Sequence, residues 1–168
     1  MSENSVNEAV SFGERLAGSQ AFADLFRDGM ALVEETASYL DGRGRQDSKK
    51  LERNGALAYA TESMRLTTRL MQLASWLLLH RAVKEGEMSL AQANKEKAKV
   101  KLSTGEQNDE QNIKLLPERL CALIQRSKAL QSAVRRLDAN IHATPTRADR
   151  GNPVERQLGL LKAAFEHE

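Results

Sequence analysis

This chain of 168 residues has little cysteine, proline or aromatic side chain, and each shortage excludes a class of protein. A single cysteine, Cys121, cannot form an internal disulfide, which argues against a small disulfide-stapled fold. Three prolines and 4% aromatic residues leave a core of leucine, alanine, methionine and valine, a mixture typical of helices. The composition therefore predicts an all-α protein.

Long apolar runs are also missing. The longest, at 76–79, is far shorter than the stretch of about 20 residues that crosses a bilayer. No apolar segment follows a basic start, as it would in a secretory signal. We expect a cytoplasmic protein that does not enter the membrane.

Residues that carry chemistry are few. None of the three histidines, His80, His142 and His167, has a glutamate three residues before it or a histidine four away. Gly13 and Gly18 have the spacing of a phosphate loop, but the required lysine is absent. The sequence therefore predicts no enzyme activity, no metal site and no cofactor.

Charge is distributed unevenly, although the net charge is only +2. Residues 1–41 carry eight acids and two bases, a net of −6, whereas residues 42–86 carry nine bases and four acids, a net of +5. Two helices packed side by side explain this best, with a polar surface that steers partners as the alternative. Lysines at 95, 97, 99 and 101 spread around a helix without forming one face, so we do not expect nucleic acid as a partner.

Helical periodicity predicts three long helices, with a short charged helix at 89–100 and a mobile connection at 103–112 between the second and the third. We expect a disordered N-terminus over 1–18, a helical bundle domain over 19–142, and a flexible linker and tail over 143–168. The first helix is predicted to begin near Ser19 and to stop at a left-handed Gly42. The second would run from Asp47 or Ser48 to Gly86 and the third from Pro117. This is an antiparallel three-helix bundle with one very long central helix.

The central helix carries two apolar rows, where a small bundle normally needs one. The first, called here the heptad row, alternates steps of four and three and is typical of a seam inside a bundle: Leu57, Thr61, Met64, Thr68, Met71, Ser75, Leu78 and Ala82. The second, the leucine row, is the candidate face for a homodimer or another partner: Leu66, Leu70, Leu73 and Leu77. Two rows on one helix indicate an assembly protein that acts through its surfaces.

Three charges stand on one face of the same helix: Glu62, Arg65 and Arg69. They are either an exposed ion-pair stripe worth a few tenths of a kcal/mol per pair, or a polar docking stripe at a dimer seam or for an acidic partner. The tail offers a second candidate contact, because Val154, Leu158, Leu161 and Phe165 form an amphipathic peptide behind a linker rich in proline and charge. Such a peptide either docks on the bundle or folds on a partner.

Two long strings carry a resemblance to a known family: LFRDGMALVEETASYLDGRGR at 25–45 and LAYATESMRLTTRLMQLASWLLLHRAVKEGEMS at 57–89. Both resemble the bacterial regulator of CtrA degradation, the RcdA family, and the similarity continues through PERLCALIQRS at 117–127. The resemblance implies a helical bundle that dimerises, with a flexible C-terminal tail linked to function. It also implies a non-enzymatic adaptor that works with a response regulator to bring cell-cycle substrates to the ClpXP protease. The alternatives are a DNA-associated transcriptional or cell-cycle regulator and a purely structural helical dimer.

Overall fold

A computed structural model describes the backbone of residues 3–99 and 110–142 and the side chains of residues 19–99 and 110–141. These residues form six helices and no strand, which confirms the all-α prediction. The helices are α1 (Glu3–Asp41), α2 (Arg43–Lys49), α3 (Arg53–Lys84), α4 (Leu90–Lys99), α5 (Glu110–Lys114) and α6 (Glu118–His142). By contact density the chain divides after Val134, and the packing described below is that of residues up to Val134.

Helix α1 begins at Glu3, well before the start that we predicted near Ser19. The backbone of the segment expected to be disordered is therefore helical from Glu3 onward. Its sequence is compatible with this, because residues 3–18 contain several good helix formers and only two glycines, Gly13 and Gly18. Each interior glycine costs a helix about 1 kcal/mol relative to alanine.

The connection from α1 to α3 is a separate short helix, α2. Gly42 has φ −114°, so the predicted left-handed stop at this residue is wrong. Asp47 and Ser48, predicted to cap the central helix, lie within α2 instead. Helix α3 begins at Arg53, after Glu52 in an extended conformation with φ −68° and ψ 168°.

Close packing against Tyr39 explains why α2 folds across the end of α1. A Cβ atom added at buried Gly44 would lie 2.7 Å from the carbonyl oxygen of Tyr39, so only glycine allows this approach. The Tyr39 hydroxyl donates a hydrogen bond to Oδ2 of Asp47 over 3.1 Å. One glycine and one hydrogen bond thus join α2 to the last turn of α1.

The end of α3 agrees with the predicted stop at Gly86. This glycine has φ 74°, in the left-handed region. Its N–H donates to the carbonyl of Val83 over 3.2 Å, and the N–H of Glu87 donates to the carbonyl of Ala82 over 3.0 Å. The two bonds form a Schellman motif, which satisfies carbonyls that the helix would otherwise leave open.

Helix α1 runs antiparallel to α3, but α6 runs parallel to α3. The Phe22 and Trp76 ring centroids lie 6.2 Å apart, which pairs the early part of α1 with the late part of α3. Arg69 of α3 donates a hydrogen bond to Ser127 of α6. Nearer the start of α3, a Cβ atom at Gly55 would lie 3.6 Å from the carbonyl oxygen of Leu115, just before α6 begins. The predicted antiparallel bundle is therefore wrong for this pair, because α4 and α5 both pack on α3 and return the chain to its start before α6 begins.

The core lies among α1, α3 and α6. Leucine dominates it, and each fully buried large side chain contributes about 1.5–3 kcal/mol of hydrophobic stabilisation. Its most deeply buried large members are Tyr39, Leu66, Leu73, Leu77, Leu120, Leu123 and Val134. These residues fix which face of α3 points inward and which is left for other contacts.

Candidate functional site: an exposed row on helix α3

The leucine row lies inside the bundle. Leu66, Leu70, Leu73 and Leu77 are between 0 and 4% exposed, and they face α1 and α6. For example, a Cβ atom at Gly29 of α1 would lie 2.6 Å from Leu77 and 3.5 Å from Leu130 of α6. This burial corrects the prediction that the leucine row is a dimer or partner face, because side chains covered by their own bundle cannot contact a second molecule.

The heptad row, predicted to face the bundle, lies on the opposite side of α3 and is open to solvent. Its four large side chains are 60, 72, 66 and 53% exposed, in the order Leu57, Met64, Met71 and Leu78. The smaller members between them are exposed at Thr61 and Thr68 and half-buried at Ser75 and Ala82. A contiguous exposed apolar row of this length is typical of a protein–protein contact.

A groove between α1 and α3 lies beside the heptad row. It encloses about 310 Å³, and Met71 lines both the groove and the row. Apart from Asp41 at the end of α1, its other walls are small or apolar: Val33, Thr36, Ala37 and Leu40 of α1 and Thr67, Leu70 and Ala74 of α3. Thr36 is only 2% exposed, and its Oγ1 atom has no hydrogen-bond partner. The groove widens the apolar surface from α3 onto α1.

The predicted polar stripe is divided between the interior and the surface. Arg69 is 3% exposed and donates from Nη1 to Oγ of Ser127 over 2.7 Å. Ser127 in turn donates to the carbonyl of Ile124 over 2.7 Å. Glu62 is 6% exposed and accepts a 2.7 Å bond from Nη1 of the half-buried Arg65. Arg69 therefore joins α3 to α6, whereas Glu62 and Arg65 pair within α3. Neither an exposed ion-pair stripe nor a docking patch describes the buried Glu62 and Arg69.

Cations cover an aromatic cluster where α1 and α3 meet. Lys84 Nζ lies 4.6 Å from the centre of the Phe22 ring, and the Arg81 guanidinium lies 4.9 Å from that of Phe26. Burial lowers the pKa of Lys84. Contacts of this kind contribute about 0.5–1 kcal/mol each at exposed sites. The cluster ties two helices together and leaves its rings too covered to stack on a ligand.

A second cleft, of about 630 Å³, lies where the turn between α2 and α3 meets the start of α6. Lys50 and Arg119 line it together with Asp47 and Glu118, so charges of both signs are present. Asp47 accepts the Tyr39 hydrogen bond and lies 3.8 Å from Nε of Arg43. The cleft thus has neither a single sign of charge nor a nucleophile beside a base.

Other sites of chemistry are missing from the described part of the chain. No group of three histidine, cysteine, aspartate or glutamate side chains there could hold a metal ion. The half-buried thiol of Cys121 lies 3.5 Å from the carbonyl oxygen of Ile113, to which it donates, and burial raises its pKa. A thiol that keeps its proton is a poor nucleophile. No described helix is long and apolar enough to cross a membrane.

The candidate tail peptide, Val154, Leu158, Leu161 and Phe165, lies outside the described residues. Its role as a second contact stays a prediction. The candidate site that the structure supports is the heptad row with the groove beside it. Periodicity identified the row in the sequence, but it did not show that this row faces solvent.

Comparisons with known proteins point to one family. A family described as a protein of unknown function, DUF1465, matches residues 13–165. The crystal structure of RcdA from Caulobacter crescentus CB15 is similar with 53% sequence identity and a TM-score of 0.58. That similarity covers 73% of this chain and 92% of the RcdA chain. No protein with curated function matches.

Proposed function

This chain belongs to the DUF1465 family, the family of RcdA, and we propose that it is a non-enzymatic adaptor in regulated proteolysis. It would act in the cytoplasm and help deliver cell-cycle regulatory substrates to ClpXP together with a response regulator. The observation that carries the proposal is 53% identity to RcdA, a regulator of CtrA degradation, over nearly all of that protein. An adaptor acts through protein–protein contacts, and the candidate site of this molecule is an exposed apolar surface.

An adaptor of this kind needs at least two contact surfaces. The heptad row of α3 supplies one, with Met64 and Met71 as its most exposed large side chains. Methionine suits such a surface because its unbranched, polarisable side chain adapts to different partners. We propose that a second copy of this chain covers part of the row, so that the adaptor is a homodimer.

The tail would supply the other contact. Residues 143–153 contain two prolines, a glycine and three charges, a composition typical of a linker, and the amphipathic peptide that begins at Val154 follows. A tether raises the effective concentration of a weak second contact, so two weak contacts hold a cargo without any strong site. The proposed mechanism is delivery by proximity, in which the bundle binds either the protease or the substrate and the tail binds the other.

Degradation of a ClpXP substrate in a purified system tests the proposal. We expect this protein to accelerate degradation in a concentration-dependent manner when the response regulator is present. Met71→Glu should reduce the effect at least tenfold, because it places a charge in the heptad row. Leu90→Glu is the matched control, since Leu90 is 41% exposed but lies on α4. No acceleration across several substrates would contradict the adaptor function.

Truncation after Pro153 separates the tail from the bundle. We expect the truncated protein to keep its thermal unfolding temperature but to deliver substrate less well. A large fall in stability would instead make the tail part of the folded core. Binding to duplex DNA that weakens steeply with salt would favour the alternative of a DNA-associated regulator, and intact self-association with no partner would favour a structural dimer.

A further inference from the structure

The heptad row alternates strictly between large and small side chains. Every large member is followed four residues later by a small one, and the steps between them are four, three, four and so on: Leu57, Thr61, Met64, Thr68, Met71, Ser75, Leu78 and Ala82. In a coiled coil this places all large residues at one core position of the heptad and all small residues at the other. The alternation continues over the whole exposed face of α3.

We propose that the heptad rows of two copies pair in an antiparallel manner, about a two-fold axis that passes between Arg69 and Leu70. The inference rests on the self-association proposed above and adds its geometry. In this register each large side chain meets a small one of the second copy. The four layers on one side of the axis are Leu57 with Ala82, Thr61 with Leu78, Met64 with Ser75 and Thr68 with Met71.

The two-fold axis makes the contact self-complementary. The same four layers recur on the other side of the axis with the roles of the two copies exchanged, which is what an isologous dimer requires. Each layer then holds one large and one small side chain, so the two helices stay evenly spaced along the contact. Even spacing lets the side chains reach the packing density of a protein interior.

A parallel pairing in register would fill the same row poorly. Small residues would then face small ones, as Thr61 and Thr68 would face their own copies, and leave voids between the helices. Large residues would face large ones at Met64 and Met71 and force the helices apart. Layers with two small side chains would lose van der Waals contacts, and layers with two large side chains would be overpacked and strained. The order of side chains therefore favours the antiparallel arrangement.

Charges beside the row permit this pairing. No member of the row is charged, and both neighbouring arginines have carboxylate partners on their own helix: Arg65 with Glu62 at 2.7 Å and Arg81 with Glu85 at 2.9 Å. In the proposed register Arg65 faces Gln72 of the second copy and Arg81 faces Ala60. No arginine meets another arginine, so like charges do not oppose the contact.

The area of the contact indicates its strength. The row spans residues 57–82, about 38 Å of helix, and a helix surface is about 10 Å wide. A flat footprint of roughly 400 Å² per copy buries about 800 Å² in total, which is below the range of about 1,200–2,000 Å² for standard stable interfaces and falls among weak, transient contacts. We therefore expect a reversible dimer with a dissociation constant in the micromolar range rather than an obligate one.

Cysteine pairing tests the orientation directly. All variants carry Cys121→Ser, so that the only thiol is the introduced one. Leu57→Cys and Ala82→Cys are made as separate proteins with different tags, and a short bis-maleimide links them. The antiparallel register predicts that the mixture gives at least tenfold more linked dimer than either variant alone. In that register two copies of position 57 are about 38 Å apart.

Three results would overturn the pairing. Efficient linking of Leu57→Cys to itself would show a parallel contact. Absence of the mixed product in a protein that sedimentation shows to be dimeric would place the interface elsewhere. A protein that stays monomeric at high micromolar concentration would remove the self-association itself. The first two leave substrate delivery to ClpXP intact, so a failed pairing is distinguishable from a failed adaptor function. Both mutated residues are at least partly exposed, so we do not expect either substitution to disrupt the fold.

Discussion

The two long faces of helix α3 have the same apolar periodicity and opposite environments. The leucine row is at most 4% exposed, whereas the large members of the heptad row are at least 53% exposed. The buried face also carries the polar link from Arg69 to Ser127. One helix thus serves two purposes, since one face holds the bundle together and the other is free for a partner.

Side-chain size distinguishes the faces better than hydrophobicity does. The buried row repeats one large residue, leucine, because α1 and α6 close around it from two sides and leave no space for gaps. The exposed row alternates large and small, a pattern that suits one helix approaching another along a single seam. In α3 the uniform row is buried, and the alternating row is exposed with the pattern of side-chain sizes that the proposed pairing needs.

The largest effect that we expect comes from the interior of the leucine row. Leu73→Ala should lower the free energy of unfolding by about 3 kcal/mol, because a buried leucine lost from a core leaves a cavity. Leu73 is only 1% exposed. Urea denaturation of dilute protein, where self-association is absent, measures the change.

Met71→Ala on the opposite face is the matched variant. It should change monomer stability by no more than about 0.5 kcal/mol but weaken self-association. Similar losses of stability in the two variants would show that the heptad row belongs to the core after all.

An intermediate effect is expected from the polar link on the buried face. Arg69→Ala removes a charged hydrogen bond to Ser127 and should cost about 2 kcal/mol. Arg45→Ala is the control, since Arg45 forms an exposed ion pair with Asp41 that contributes at most about 1 kcal/mol. Thermal unfolding of both variants gives the comparison. Equal and small losses would mean that Arg69 contributes no more than a surface charge.

Sequence periodicity predicted the all-α class, the long helices and the end of α3, because these depend on local patterns. Gly86 and, two residues earlier, Lys84 mark a helix end that can be predicted without knowledge of tertiary contacts. The separate helix α2 was missed because its cause is tertiary. Gly44 packs on Tyr39, and no local pattern shows which residue a glycine will meet.

The candidate site was found in part. Both rows of α3 were identified, but their roles were exchanged, because two apolar rows of equal spacing do not show which one the other helices will cover. The parallel course of α6 decided the outcome, and it brought Ser127 to Arg69. One signal was present: uniform leucine in one row, and threonine or serine between large residues in the other. The role of the tail peptide, which lies outside the described residues, stays a prediction.

The smallest change in stability that we expect concerns Tyr39, near the end of α1, which holds α2 through its hydrogen bond to Asp47. Burial first, and the hydrogen bond to Asp47 second, raise the pKa of Tyr39 far above its ordinary value near 10. The folded state therefore holds this proton more tightly than the unfolded state does. The resulting stabilisation is complete below pH 10 and is lost as the pH rises above it. Tyr39→Phe should lower the free energy of unfolding by about 1 kcal/mol at pH 8, because the hydrogen bond is lost. The difference in stability between this variant and the natural protein, measured by thermal unfolding, should narrow toward pH 11. Tyr59→Phe is the comparison variant, because burial raises the pKa of Tyr59 while the side chain of Ser63 opposes the rise. The stability difference between Tyr59→Phe and the natural protein should therefore narrow less. A Tyr39→Phe difference that stays constant with pH would show that the folded protein does not protect this proton.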